Sequence, residues 1–351
     1  MKKLIFISLL FAVASSCHNA DIVFDDYERQ TIYFPIQYPV RTLSLGNDLV
    51  DNSLDKNHKF NIGVNVGGYY NRNQQDWHVD FVVDNGLVPD LHLLNNKGLT
   101  LKPLPTAYYT LRPEATAVIP EGSFTGLIEV QLSDDFFNDP RALTGEYVIP
   151  LRLTSSPDTE NILHGTPASD APSPPDIHLP AHWEVQPMDY TLFGIKYVNP
   201  YHGQWLRRGQ MLTRNQAGAI VDTVIYHARY VEYNETVTLT STSLHSVTSS
   251  MSVGTDNLIL NLAVASDGAI AVATADNSPV KVSFGSGRYK ENGDTWGGTP
   301  EQPTPRDAIY LNYFYNKTVN NQLYVCEVLD TLVFRDRGIR YEAENPTVVQ
   351  P

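Results

Sequence analysis

Two stretches of this chain hold residue types able to grip a sugar. Gly67-Gly68-Tyr69-Tyr70-Asn71-Arg72-Asn73-Gln74-Gln75-Asp76-Trp77 sets three aromatics, Tyr69, Tyr70 and Trp77, among amides, an arginine and a carboxylate. Arg288-Tyr289-Lys290-Glu291-Asn292-Gly293-Asp294-Thr295-Trp296-Gly297-Gly298 does the same with Tyr289 and Trp296. A sugar presents apolar C–H faces and many hydroxyls. An exposed aromatic plane beside amide, carboxylate or guanidinium groups answers both. The competing reading of each stretch is a loop whose aromatics fold back on the core.

Reaction chemistry has weaker footing. Glycoside hydrolysis needs two carboxyls across a cleft, and the acidic residues here are scattered, with no D-x-x-D-x-D-x-E cluster. Asp48, Asp51 and Asp55 lie in NDLVDNSLDKNH, which reads as a solvated loop without the Asp-x-Asp-x-Asp spacing of a calcium site. The histidines form no H-E-x-x-H, and there is no paired C-x-x-C. His202, in the turn Pro200-Tyr201-His202-Gly203, reads as a structural loop residue. Ser286 between Gly285 and Gly287 lacks the flanks of a nucleophile elbow, and the two glycines suit a bend or bulge. Neither a P-loop nor a dinucleotide fingerprint is present. The expectation is a non-catalytic protein with no metal and no cofactor.

The positioning elements begin with an address. MKKLIFISLLFAVASSC places Lys2 and Lys3 before an apolar core from Leu4 to Val13, then small residues ahead of Cys17. That core is too short to span a bilayer. The pattern resembles a bacterial lipobox with Cys17 as the lipidated residue, which implies attachment by acyl chains alone. Asp21, Asp25, Asp26 and Glu28 follow. They read either as a solvated tether or as the acidic export signal that sends Bacteroidetes lipoproteins to the outer face of the outer membrane. Cys326 is the second of two cysteines. With Cys17 lipidated it has no partner, and in the strand-like run LYVCEV it reads as a small buried hydrophobe. The net charge of −14 becomes −16 once Lys2 and Lys3 leave with the signal. So acidic a chain is a poor partner for nucleic acid or anionic membrane surfaces.

From 18 to 155 the pattern is strand-like. KFNIGVNVGG alternates Phe60, Ile62, Val64 and Val66, and HVDFVVD repeats this around Val79, Phe81 and Val83. About seven short strands predict an immunoglobulin-like β-sandwich. The interval 156–182 is Pro-rich and reads as an extended or flexible linker. From 183 to 345 roughly eight antiparallel strands joined in sequence predict an up-and-down β-barrel. Asp267-Gly268 supplies a hairpin signal there, and Asn316-Lys317 sits near the final turn. AIVDTVIYHARYVEY is the segment where strand and mixed structure compete.

IYFPIQYPVRTLSLG, TAVIPEGSFTGLIEVQLSDDFF and GEYVIPLRLTSS resemble the N-terminal β-sandwich domain of unknown function of Bacteroidetes surface lipoproteins, a kind found ahead of family-18 glycosidase-like and glycan-binding modules. DYTLFGIKYVNPYHGQWLRRG, SGRYKENGDTWGG and DTLVFRDRG resemble an accompanying C-terminal domain of unknown function. Gly203-Gln204-Trp205 is similar to the Gly-x-Trp of lipocalin-like barrels, whose tryptophan plugs one end under a late arginine, here Arg335 or Arg337. The resemblance implies an outer-membrane, lipid-anchored protein that binds a polysaccharide or oligosaccharide for an uptake system of the starch-utilisation type, beside a glycan transporter complex. In that picture the sandwich is a spacer and the barrel carries the ligand, at Tyr289 and Trp296 above all, with Tyr69, Tyr70 and Trp77 as the second bet. The alternatives are a structural, adhesin-like interaction subunit without a sugar site, and a glycoside hydrolase accessory protein.

Overall fold

Alternating apolar residues become one-sided strands. Phe60, Ile62, Val64 and Val66, along the strand Lys59–Gly67, are each at most 2% exposed. Burying such side chains stabilises by about 1.5–3 kcal/mol each, before chain entropy is subtracted. The computed structural model describes residues 24–88, 93–299 and 301–349, so Cys17 and Asp21 lie outside the described residues. Among the described residues no helix is long and apolar enough to cross a membrane.

Two sheets pack face to face as the predicted sandwich. One runs in the order Thr31–Tyr33, Lys59–Gly67, Thr125–Leu132, Tyr109–Arg112. The other has Pro39–Ser44, Tyr190–Val198, Tyr147–Ser155, Trp77–Val83 and Thr116–Ile119 as neighbours. Their inner faces share one core that includes Ile62, Phe81, Ile128, Ile149 and Ile195.

The strand Tyr190–Val198 corrects the predicted boundary at 183. It pairs antiparallel with Tyr147–Ser155 and parallel with Pro39–Ser44, inside the sandwich sheet. Both of its faces are covered: Ile195 and Tyr197 enter the main core, while Tyr190 and Leu192 join a second cluster with Leu87, Leu93 and Val148. The barrel therefore starts at Gly203, after a joint at Asn199–His202. Its end also precedes 345, because Glu342–Ala343 returns to pair with Pro39 and Val40. The interval 156–182 is fastened rather than free. Ile32 N–H donates to the Asn161 carbonyl at 2.9 Å, and the Trp183 indole donates to the Asp176 carbonyl at 2.8 Å.

The barrel has eight antiparallel strands: Gly203–Arg214, Glu235–Ser243, Ser246–Val253, Asp256–Val264, Ala269–Thr274, Val282–Gly298, Pro303–Val319 and Gln322–Asp336. It closes where the first and last pair, from Gln204↔Asp336 to Arg214↔Val325. The ambiguous segment resolves into a strand, Ile220–Tyr226, that pairs with the second half of the first barrel strand. Asp267-Gly268 turns a hairpin as predicted. The final hairpin turns at Asn320-Asn321, both at positive φ, rather than at Asn316-Lys317.

The interior is filled. Trp205 is fully buried and its indole donates to the Tyr201 carbonyl at 3.0 Å. Arg207 forms a two-pronged pair with Asp330 at 3.0 and 3.1 Å, and the Tyr226 and Tyr313 hydroxyls donate to the same carboxylate at 2.7 and 3.0 Å. Burial opposes the charge on Arg207, but the Asp330 carboxylate outweighs it and holds the guanidinium firmly protonated. Gly209 lies opposite Asp330, where a Cβ would collide with the Leu329 carbonyl and the Asp330 carboxylate. Cys326 is buried in this core, as its run predicted. A ligand carried by this barrel must sit outside its lumen.

Candidate functional site

The first aromatic stretch is largely architecture. Trp77 opens the strand Trp77–Val83, is 4% exposed, and donates its indole N–H to Asn73 Oδ1 at 2.8 Å. The ring shares the inward face of the strand with Val79 and Phe81, so Trp77 is a core residue and not a sugar platform. Tyr69 packs edge-on against it, with ring centroids 6.3 Å apart. Tyr70 alone is well exposed, at 47%, and meets Phe24 edge-on. Its backbone N–H is held by Asp26 at 2.7 Å, which gives one of the acidic residues after Cys17 a local structural role.

The second stretch is a strand rather than a loop. Val282–Gly298 runs beside Pro303–Val319 and turns only at Thr299–Gln302. The pairing slips between Lys290 and Asp294, where Asn292 has φ +50°. Tyr289 points inward. Its ring meets Tyr201 edge-on at 5.0 Å and its hydroxyl donates to Asp307 at 2.7 Å. Burial, reinforced by the Asp307 charge, pushes that phenol far above its usual range, so Tyr289 is a neutral internal prop and not an open platform. Trp296 is half-buried, with the Arg306 guanidinium 5.0 Å from its ring centre and Arg306 Nε donating to its carbonyl at 3.2 Å. Of the five aromatics that the sequence brings forward, Tyr70 is exposed, Tyr69 and Trp296 are half-buried, and Trp77 and Tyr289 are turned inward.

The strand pair containing Trp296 reaches the sandwich and encloses a polar cleft of about 490 Å³. From the sandwich it is lined by Asp48, Asn52 and Lys56, and from the barrel by Glu291, Arg306 and Asp307. Asn47 spans the gap. Its amide donates to Glu291 at 2.9 Å, and its carbonyl oxygen accepts from Lys56 at 2.7 Å. Asp307 also accepts from the Asn292 N–H at 3.1 Å, which fixes the local kink. Beneath, Phe334 and Pro305 give a small apolar floor. Amides, carboxylates and cations together can both donate to and accept from hydroxyls.

Sequence reading missed the sandwich half of this cleft. NDLVDNSLDKNH reads as a solvated loop, yet Asp55 is 3% exposed, accepts from Ser44 N–H at 2.9 Å and pairs with Arg41. That anchoring presents Lys56 and Asn52 toward a barrel strand 244 positions beyond Asn47. Nothing local in the sequence signals such an approach.

Arg337 locks the two bodies together. It donates to the carbonyls of Asn47 at 2.5 and 3.0 Å, Pro200 at 2.6 Å and His202 at 2.7 Å, and is 2% exposed. Gly46 is required beside it, because a Cβ there would collide with the guanidinium. The expected stacking on Trp205 is indirect. Arg337 sits 4.2 Å over Phe334, which meets Trp205 edge-on at 5.4 Å, whereas Arg335 lies at the surface near Thr236.

A family model described as a domain of unknown function, DUF5627, matches residues 200–338, and one described as an N-terminal domain matches residues 27–160. A crystal structure of a Bacteroides ovatus protein of unknown function is 32% identical with TM-score 0.78, covering 92% of this chain and 99% of that one. This chain belongs to that protein's family. The DUF5627 match begins at the joint and ends just past Arg337, so it coincides with the barrel and excludes Tyr190–Val198. Other solved structures match more remotely. An auxiliary nutrient binding protein from Bacteroides thetaiotaomicron is 14% identical with TM-score 0.36, covering 84% of this chain and 90% of that one. A multidomain protein including DUF1735 from Bacteroides ovatus is 12% identical with TM-score 0.35, covering 87% and 94%. No curated protein matches the chain.

Proposed function

We propose that this protein is a non-catalytic glycan-binding protein, held at the outer membrane by lipid on Cys17, and that the cleft between sandwich and barrel is its binding site. The supporting observation is the cleft's composition. Amides, carboxylates and cations from both bodies line about 490 Å³, and Arg306 joins that lining to the Trp296 ring. Sugar hydroxyls match such a surface, and the apolar floor suits a C–H face. A lipid anchor would leave both bodies free to meet a polysaccharide and pass it to a transporter complex.

Affinity electrophoresis through gels cast with a panel of polysaccharides tests the site. At least one polysaccharide should retard the wild type, and Glu291→Ala, Lys56→Ala and Trp296→Ala should each reduce the retardation. If no polysaccharide retards the folded wild type, the reading fails. Membrane fractionation tests the anchor: Cys17→Ser should move the protein to the soluble fraction.

The alternative, an interaction subunit without a sugar site, draws on one observation. The strand Ile220–Tyr226 has one paired edge and exposes Ile220, Val221 and Ile225 at 51, 52 and 69%. Apolar strands with an open edge favour pairing with another chain. Co-purification that is lost on Ile225→Lys, with no glycan retardation, would favour it.

A further inference from the structure

The sandwich has a second opening whose chemistry is opposite to that of the cleft. A pocket of about 480 Å³ lies beside the strand Pro39–Ser44, walled by Phe34, Ile36, Val40, Ile62, Phe193 and Ile339. Its inner wall is the sandwich core, where Phe34 and Ile62 are each 1% exposed. Phe193 lies flat against Phe60, with centroids 5.3 Å apart and planes 16° apart, yet is only partly buried because it faces this space. Along the outer edge of Pro39–Ser44, Glu342–Ala343 pairs at Pro39 and Val40, and Asp55 accepts from Ser44 N–H at the other end, so the pocket lies beside the stretch between them.

Its polar groups are few. Thr42 pairs beside Lys196, on the opposite face of the sheet from Phe193, so its buried hydroxyl does not open into the pocket. The Thr191 hydroxyl is already used, donating to the Ile36 carbonyl at 3.0 Å. Two guanidiniums complete the lining. Arg41 is committed to Asp55, while Arg340 is exposed on the rim. A sugar would leave most of its hydroxyls unmatched on such walls. A long apolar body with one anionic end would not.

We propose that this pocket binds an aliphatic chain ending in a carboxylate, with the chain along Ile36, Phe193 and Ile339 and the head at Arg340. The site is separate from the glycan cleft and stands whether or not a sugar binds there. Pockets of this size and apolar character commonly enclose small ligands.

Titration calorimetry with dodecanoate, kept below its micelle concentration, tests the proposal on the full mature chain. Saturable binding at one site is expected, with dodecyltrimethylammonium failing to bind. Arg340→Glu, a change at an exposed position, should weaken dodecanoate binding by about tenfold through loss of a charge-assisted contact and introduction of repulsion. Ile36→Trp should block the mouth and abolish it, with the melting temperature showing that the variant is folded. Absence of saturable dodecanoate binding overturns the proposal. So does binding that survives both Ile36→Trp and Arg340→Glu, or equal binding of the cationic amphiphile.

Discussion

The two bodies solve the problem of a filled interior differently. The sandwich core is almost wholly apolar, with Ile62, Val64, Val79, Ile128, Ile149 and Ile195 each at most 1% exposed. The barrel core wraps an ion pair, Arg207–Asp330, in two tyrosine hydroxyls and a backbone carbonyl, the Ser252 oxygen 2.7 Å from Arg207. In the first, stability is additive contact and burial. In the second, it depends on every member of a network being present, because a buried charge left alone is costly. A sandwich residue can therefore be trimmed at a graded cost, whereas a single loss in the barrel should behave as a failure of the whole network.

Asp330→Ala should have the largest effect, destabilising by about 3–5 kcal/mol in urea unfolding because Arg207 loses its buried partner and keeps only the half-exposed Glu235, 3.1 Å away. The paired replacement Arg207→Met with Asp330→Leu should recover most of that loss. If the single change costs less than about 1 kcal/mol, the network account of the barrel fails. Ile195→Ala in the sandwich should cost about 3 kcal/mol, with no second site able to restore it, since the loss is transfer energy plus a cavity. Equal rescue of both by a neighbouring substitution would erase the contrast.

The joint between the bodies should show itself through pH. Burial, helped by the Arg337 and Lys196 charges, lowers the His202 pKa to about 4. Its Nδ1 accepts from the Ser241 N–H at 3.1 Å, a role the protonated ring cannot fill. The unfolded chain binds the proton at about 6.5, so it takes up more protons than the folded one between those values. The contribution is complete above about pH 6.5 and is lost as pH falls toward 4, by about 2 kcal/mol after allowance for partial exposure. His202→Asn should flatten that part of the stability profile relative to wild type. A profile of unchanged slope would remove His202 from the joint's energetics.

The same contrast explains what the sequence made legible. Period-two runs such as Phe60 to Val66 declared both their strand and their buried face, because alternation is a local property. The barrel followed from serial hairpins, and Trp205 from its motif. Tyr190–Val198 was misplaced because a strand buried on both faces shows no alternation and cannot name its neighbours; its partners lie near 40 and 150. Aromatic direction was equally hidden. Trp77 shares the inward face of its strand with Val79 and Phe81, where Asn73 satisfies its indole, and Asp307 holds Tyr289. The cleft escaped for a third reason: its halves are contributed by Asn47–Lys56 and Glu291–Asp307, and long-range contacts, the Arg337 clasp and the Asn47–Glu291 bond among them, set them face to face.

The smallest predicted effect separates surface from scaffold within a single loop. Tyr70 and Trp77 stand seven positions apart in similar sequence, yet one is 47% and the other 4% exposed. Tyr70→Ala should change stability by no more than about 0.5 kcal/mol, since it removes mainly an exposed edge contact with Phe24. Trp77→Ala should cost several-fold more, because it empties core volume and leaves Asn73 Oδ1 with the Gln75 N–H alone. Retention of glycan binding in Tyr70→Ala, alongside its loss in Trp296→Ala, would place recognition in the cleft rather than in this loop. The reverse result would return it to the sandwich, and the cleft would then be read as the seam that Arg337 closes.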